Sequence, residues 1–233
     1  MENSHSRIDS QDTVVLFADL QKGIVELTKT NPLGRLKTGV RALAKLAKLF
    51  DMPVFVTGIM GEDGSPAQVI PEIYEALGEL PTHHRTTCDS FLNEGIASAI
   101  AATGRKTLLI SGVATELAVQ LSAVTASQLG YRAYAVLDAC GGVSERTEQA
   151  ALLRMAKAGA TTVSVMTLAG EMAGDFREAK AQPAIGIVYE MASLRMRFSC
   201  AIFERFGDAV GDCIVKLVPA LIPLRSAGFP AVE

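Results

Sequence analysis

Thr107-Leu108-Leu109-Ile110-Ser111, closed by Gly112, is the clearest strand in this 233-residue chain. A short unbroken apolar run bounded by turn residues marks a strand covered on both faces, since a solvent-facing side would impose alternation. Outward from it, Val14-Val15-Leu16-Phe17-Ala18 has the same character and ends at Asp19, and Val54-Phe55-Val56-Thr57 follows Pro53. Downstream, Tyr134-Ala135-Val136-Leu137 ends at Asp138, and Thr162-Val163-Ser164-Val165 makes a further strand. A short extended piece near Thr82-His83-His84 leads to Arg85. Between the strands, Leu36, Val40, Leu43, Leu46 and Phe50 recur at helical spacing with basic residues interleaved. Gly95 to Thr103, Thr115 to Leu129 and Ser144 to Ala158 also predict helices, each followed by a glycine suited to the C′ position. Strands alternating with helices across short turns predict a three-layer α/β/α fold with a mostly parallel, doubly wound sheet.

The composition is 49% hydrophobic and 20% charged with a mean hydropathy of +0.27, so part of the apolar surface is expected in contacts within a homo-oligomer. A net charge of -3 leaves no basic footprint for nucleic acid. The start of the chain is polar and lacks the apolar core of a signal peptide, and no apolar stretch approaches the roughly 18 residues of a membrane span. The expected compartment is the cytoplasm, without membrane partners. Residues 1–182 are expected to form the main domain. Residues 183–233, apolar with interleaved charges and then Pro-bearing, are expected to be a helical, subunit-packing extension.

In an open parallel sheet, ligands bind beyond the carboxyl ends of the strands. That rule selects Asp19, Arg85, the segment Gly112 to Ala118 and Asp138. A carboxylate at position 19 suits general acid or base work if burial raises its pKa, and equally suits a helix cap or an ion pair. Gly112-Val113-Ala114-Thr115-Glu116 joins a strand to a helix, with Thr115 as the expected N-cap; the amides of such a turn suit an anion or a developing oxyanion.

Val14 to Gln21, with Asp19 at the strand end, resembles the first motif of the isochorismatase-like superfamily, the cysteine hydrolases. Gly112-Val113-Ala114-Thr115-Glu116-Leu117-Ala118-Val119 resembles its central motif. Leu129 to Val136 and Asp138-Ala139-Cys140-Gly141 resemble the family's next helix end and strand. The resemblance covers roughly residues 12–179 and is nearest the YcaC-like subgroup. It implies that Asp19 is the general acid/base and Arg85 the catalytic cation, upstream of Asp89-Ser90-Phe91. It also implies a cis peptide at Val113–Ala114, whose amide and that of position 118 line an oxyanion hole. Position 118 is where most members hold the nucleophilic cysteine; this chain has alanine.

Without a thiol at Ala118, covalent acyl transfer by that route is excluded. Three readings stay open. One is non-covalent hydrolysis of a small molecule, as in vinyl-ether cleavage, where Asp19 must be protonated while Arg85 opposes it. Another is a catalytically silent member that binds a small molecule or serves assembly. The last is a displaced nucleophile, Cys88 or Cys140, or a substitution introduced at position 118. No metal and no other cofactor is expected: the segment after the second strand lacks histidine, and His83 and His84 alternate in direction. A dinucleotide-dependent oxidoreductase would need a Gly-x-Gly-x-x-Gly turn where Asp19-Leu20-Gln21-Lys22-Gly23 stands.

Overall fold

Parallel strands demand crossovers, and a crossover helix must bury one apolar stripe on the sheet. In the computed structural model, which describes residues 7–193 other than 62 and 67, six parallel strands do this. They are β1 (Thr13–Ala18), β2 (Val54–Gly58), β3 (Thr82–His84), β4 (Thr107–Val113), β5 (Arg132–Gly141) and β6 (Thr161–Val163), in the order β3-β2-β1-β4-β5-β6. The helices are α1 (Leu33–Leu49), α2 (Pro71–Leu77), α3 (Glu94–Ala102), α4 (Gln120–Gln128), α5 (Glu145–Lys157), α6 (Val165–Ala173) and α7 (Ala181–Ser193). The three-layer doubly wound architecture expected from the sequence is the one observed.

The two-residue period of a strand sorts the core into two halves. Val15, Phe17 and Leu109 point to one side, where they meet Val40 and Leu43 of α1 and Leu168 of α6. Val14, Leu16, Leu108 and Ile110 point to the other, against Ile96 and Ile100 of α3 and Ala123 of α4. Every residue of β1 and of β4 is buried, which is why both appear in the sequence as unbroken apolar runs.

Several boundaries differ from expectation. β5 does not end before Asp138 but continues to Gly141, because its pairing with β4 jumps from Ile110↔Ala135 to Gly112↔Cys140. The extra residues on β5 form a bulge around Asp138. That bulge turns the Asp138 carbonyl toward α1, where a Cβ at position 39 would stand 2.0 Å from it; Gly39 is what lets the helix lie there. The strand expected over Thr162–Val165 stops at Val163, since the Ser164 side chain accepts from the Thr167 amide and starts α6. The domain limit expected at 182/183 falls inside α7, whose Ala184 and Ile187 lie in the same core as α1. The expected extension beyond position 193 lies outside the described residues.

Candidate active site

β1 delivers Asp19 to the carboxyl edge of the sheet, and the backbone decides its direction. Asp19 lies at φ 55, a left-handed conformation that aspartate tolerates better than most residues, and its amide donates to the Thr57 carbonyl of β2 at 3.0 Å. Arg85 leaves the end of β3, with its own amide on the Gly58 carbonyl at 3.0 Å. β2 lies between the two strands, a gap of roughly 10 Å that a long side chain can cross. Arg85 does so: its Nη2 donates to Asp19 Oδ2 at 2.6 Å, from a side chain with no solvent exposure. Its Nη1 donates to the Thr87 carbonyl. Asp19 Oδ1 is buried and has no hydrogen-bond partner among the described residues.

Two effects compete on the Asp19 carboxyl. Burial raises its pKa above the ordinary carboxylate value, while the charge and the hydrogen bond of Arg85 pull it down; burial prevails. The pairing with Arg85 therefore offsets only part of the upward shift that burial imposes on this carboxyl.

The third component lies beyond β4. Ala18 pairs with Gly112, so Asp19 stands next to Val113 at the shared edge of β1 and β4. A Cβ on Gly112 would meet the Ala18 carbonyl oxygen at 2.3 Å, so the close approach of these strand ends depends on glycine. The Val113–Ala114 peptide is cis. The chain then makes one π-helical turn, Thr115–Val119, before α4. Ala118 on that turn is fully buried.

Thr115 is not the N-cap expected of it. Its hydroxyl donates to Glu148 Oε1 on α5 at 2.8 Å, because the turn packs closely enough on α5 for a non-local partner to win. Glu116 accepts from the Val143 amide at 2.9 Å and from the Thr147 hydroxyl at 2.7 Å, which fastens the same turn to the start of α5. Asp138, a strand-end candidate, is occupied elsewhere: its carboxylate accepts from the Val165 amide at 2.9 and 3.1 Å and caps α6. Cys140 is fully buried and its thiol is pushed up to about 12 by desolvation, so it holds no thiolate at neutral pH. Cys88 is free and exposed.

Gln21 received no role from the sequence. It is fully buried, and its amide both donates to the Ile59 carbonyl at 2.9 Å and accepts from the Ile59 amide at 3.0 Å. This clamp ties the segment after β1 to the segment after β2. The only signal in the sequence is a glutamine two residues beyond a strand-end acid.

The description "Isochorismatase domain" matches residues 13–167. The chain belongs to the isochorismatase family. Within it, the sequence is 33% identical over 178 residues to the protein named "Probable hydrolase YcaC" of Escherichia coli K12, covering 76% of this chain and 85% of that one. The crystal structure of E. coli YcaC, described as an octameric hydrolase of unknown specificity, superposes with a TM-score of 0.74 at 30% identity, over 84% of this chain and 98% of that one. YcaC from Pseudomonas aeruginosa, solved with hexane-2,5-diol and covalent acrylamide, gives the same TM-score and identity over 84% and 99%. Among the described residues of this isochorismatase-family chain, no three His, Cys, Asp or Glu side chains group as metal ligands. No described helix is long and apolar enough to cross a membrane.

Proposed function

We propose that this isochorismatase-family hydrolase acts on a small molecule by non-covalent acid/base hydrolysis, with Asp19 as the proton-transferring group. The observation that carries the reading is the buried Asp19–Arg85 pair, in which desolvation raises the carboxyl's pKa despite the adjacent guanidinium. A carboxyl so raised holds a proton over a higher pH range and can donate it to the alkene carbon of a vinyl ether. Water then adds to the oxocarbenium ion and returns a proton to the Asp19 carboxylate, and the adduct breaks its C–O bond to give a carbonyl and an alcohol. Arg85 is permanently charged and serves orientation and charge stabilisation rather than proton transfer. The Val113–Ala114 turn lies at the adjoining strand end, where its amides can hold an anionic group of the substrate. Ala118 supplies no nucleophile, so no covalent intermediate forms there.

Ala118 also favours a second reading, a silent member that binds a small molecule without turning it over. One screen separates the two: vinyl ethers, amides and carbamates offered to the unaltered protein, to Asp19→Asn and to Ala118→Cys. Vinyl-ether cleavage by the unaltered protein that is lost in Asp19→Asn supports acid/base hydrolysis. Turnover that arises only in Ala118→Cys overturns it in favour of the silent reading.

The chain is further proposed to self-associate in the cytoplasm. Leu27, Ile59, Met60, Leu117 and Val143 are exposed apolar residues in segments that come after β1, β2, β4 and β5, and the E. coli relative is an octamer. Light scattering on the purified chain tests this, and a monomer at micromolar concentration would contradict it.

A further inference from the structure

Arg85 is held from two sides, and the second hold leads away from Asp19 into a chain of hydrogen bonds. Arg85 Nη1 donates to the Thr87 carbonyl. The Thr87 hydroxyl donates to the Asp89 carbonyl at 2.7 Å. The Asp89 carboxylate is fully committed: Oδ1 accepts from the Phe91 amide at 2.9 Å and Oδ2 from the Thr125 hydroxyl at 2.6 Å. One residue on, the Ser90 amide donates to Ser122 Oγ at 3.0 Å. Asp89 and Ser90 are both buried, so these bonds compete little with water.

Both anchors stand on α4, the helix that continues directly from the turn carrying Ala118. Ser122 and Thr125 are four and seven residues beyond Ala118, the spacing of a single helical face. The helix that sets position 118 therefore also grips the segment that holds the cation.

We propose that Asp89 and Thr125 are positioning residues of this site: their hydrogen bond fixes the 87–91 turn, whose Thr87 carbonyl keeps Arg85 directed onto Asp19. The proposal rests on the reading of Asp19 and Arg85 as the working pair. Neither Asp89 nor Thr125 is placed on the substrate; each acts through Arg85. Without the Thr125 hydroxyl, the 87–91 turn keeps only the Ser90–Ser122 bond to α4, and the Thr87 carbonyl that receives the guanidinium is held less firmly.

The test reads Asp19 itself and needs no substrate. The full-length chain is labelled with carboxyl-13C aspartate, the Asp19 resonance is assigned with Asp19→Asn, and its titration is monitored by NMR. Arg85 is the charged group that acts on Asp19, so loosening it releases a downward pull and the midpoint rises. Thr125→Val keeps the shape but removes the donor, and Thr87→Val removes the next link while keeping the carbonyl. Each is expected to raise the midpoint by about 0.5 unit or more, roughly threefold in proton affinity. Thr125→Ser, which restores the hydroxyl, returns it to the unaltered value. Arg85→Gln gives the full range of the effect. If Arg85→Gln shifts Asp19 while both valine variants titrate like the unaltered protein, the positioning role is overturned and the pair stands. If Arg85→Gln also leaves Asp19 unmoved, the working pair itself falls. A purely structural role would lower the melting temperature of the valine variants without moving Asp19.

Discussion

Arg85 reaches across the end of β2 to donate to Asp19 at 2.6 Å, joining the ends of β3 and β1 through two buried side chains. The pair is asymmetric. Arginine keeps its charge at any accessible pH, so the site's ionisation changes only at Asp19. Desolvation acts on that carboxyl more strongly than the neighbouring charge does.

Removing the cation exposes this balance. Arg85→Met leaves a buried carboxylate without its partner, a change expected to cost about 3–5 kcal/mol at neutral pH. Linkage sets the sign. In the folded state the Asp19 pKa already lies above its ordinary value of 3.8, and it rises further once Arg85 is gone. Stability is then fully present below that ordinary value and is lost as pH rises through the folded-state value. Urea melts from acid to neutral pH should show a steeper decline for Arg85→Met than for the unaltered protein; parallel curves would contradict the assignment.

A thiol-dependent activity, if one is found, does not come from Cys140. Its sulfur is buried and its pKa is pushed up to about 12. Under native conditions near neutral pH, iodoacetamide is expected to label Cys88 readily and Cys140 only after unfolding, as peptide mass spectrometry would record. Native labelling of Cys140 at a rate comparable with Cys88 would restore it as a candidate nucleophile.

The features legible in the sequence and those hidden from it have separate physical causes. β1, β2 and β4 were legible because they lie in the interior of the sheet, and their runs are apolar enough to mark them. α6 was hidden because Val163-Ser164-Val165 alternates like a strand, whereas the Ser164 cap turns the chain into a helix there. α2 is a seven-residue helix opened by Pro71, too short for its period to show. Asp19 and Arg85 could be selected by the strand-end rule. The roles of Thr115, Asp138 and Gln21 could not, since Glu148, Val165 and Ile59 lie 33, 27 and 38 residues away. Local spacing carries no information about such partners.

The Gln21 clamp is one such non-local device. Gln21→Leu preserves bulk but leaves the Ile59 amide and carbonyl without their side-chain partner, at an expected cost of about 1–3 kcal/mol. Hydrogen exchange should report faster exchange at Ile59, while the β4 amides remain protected. Unchanged exchange at Ile59 would show that the clamp does not hold that segment in solution.

The contact between α1 and the β5 bulge gives a prediction in which two rules oppose each other. Glycine inside a helix is less favourable than alanine by about 0.5–1 kcal/mol, so propensity alone predicts that Gly39→Ala stabilises α1. Packing predicts the reverse, because the new Cβ would lie 2.0 Å from the Asp138 carbonyl oxygen and 2.6 Å from its carbon. Backbone atoms cannot step aside as a flexible side chain can, so α1 must lift from β5, a net loss expected at about 1–3 kcal/mol. Gly34, in the first turn of the same helix, has nothing within 4 Å of a built Cβ. Gly34→Ala should therefore obey propensity and gain a few tenths of a kcal/mol or more. Urea melts of the two variants are expected to move in opposite directions, and a gain in both would show that α1 does not approach the Asp138 bulge this closely.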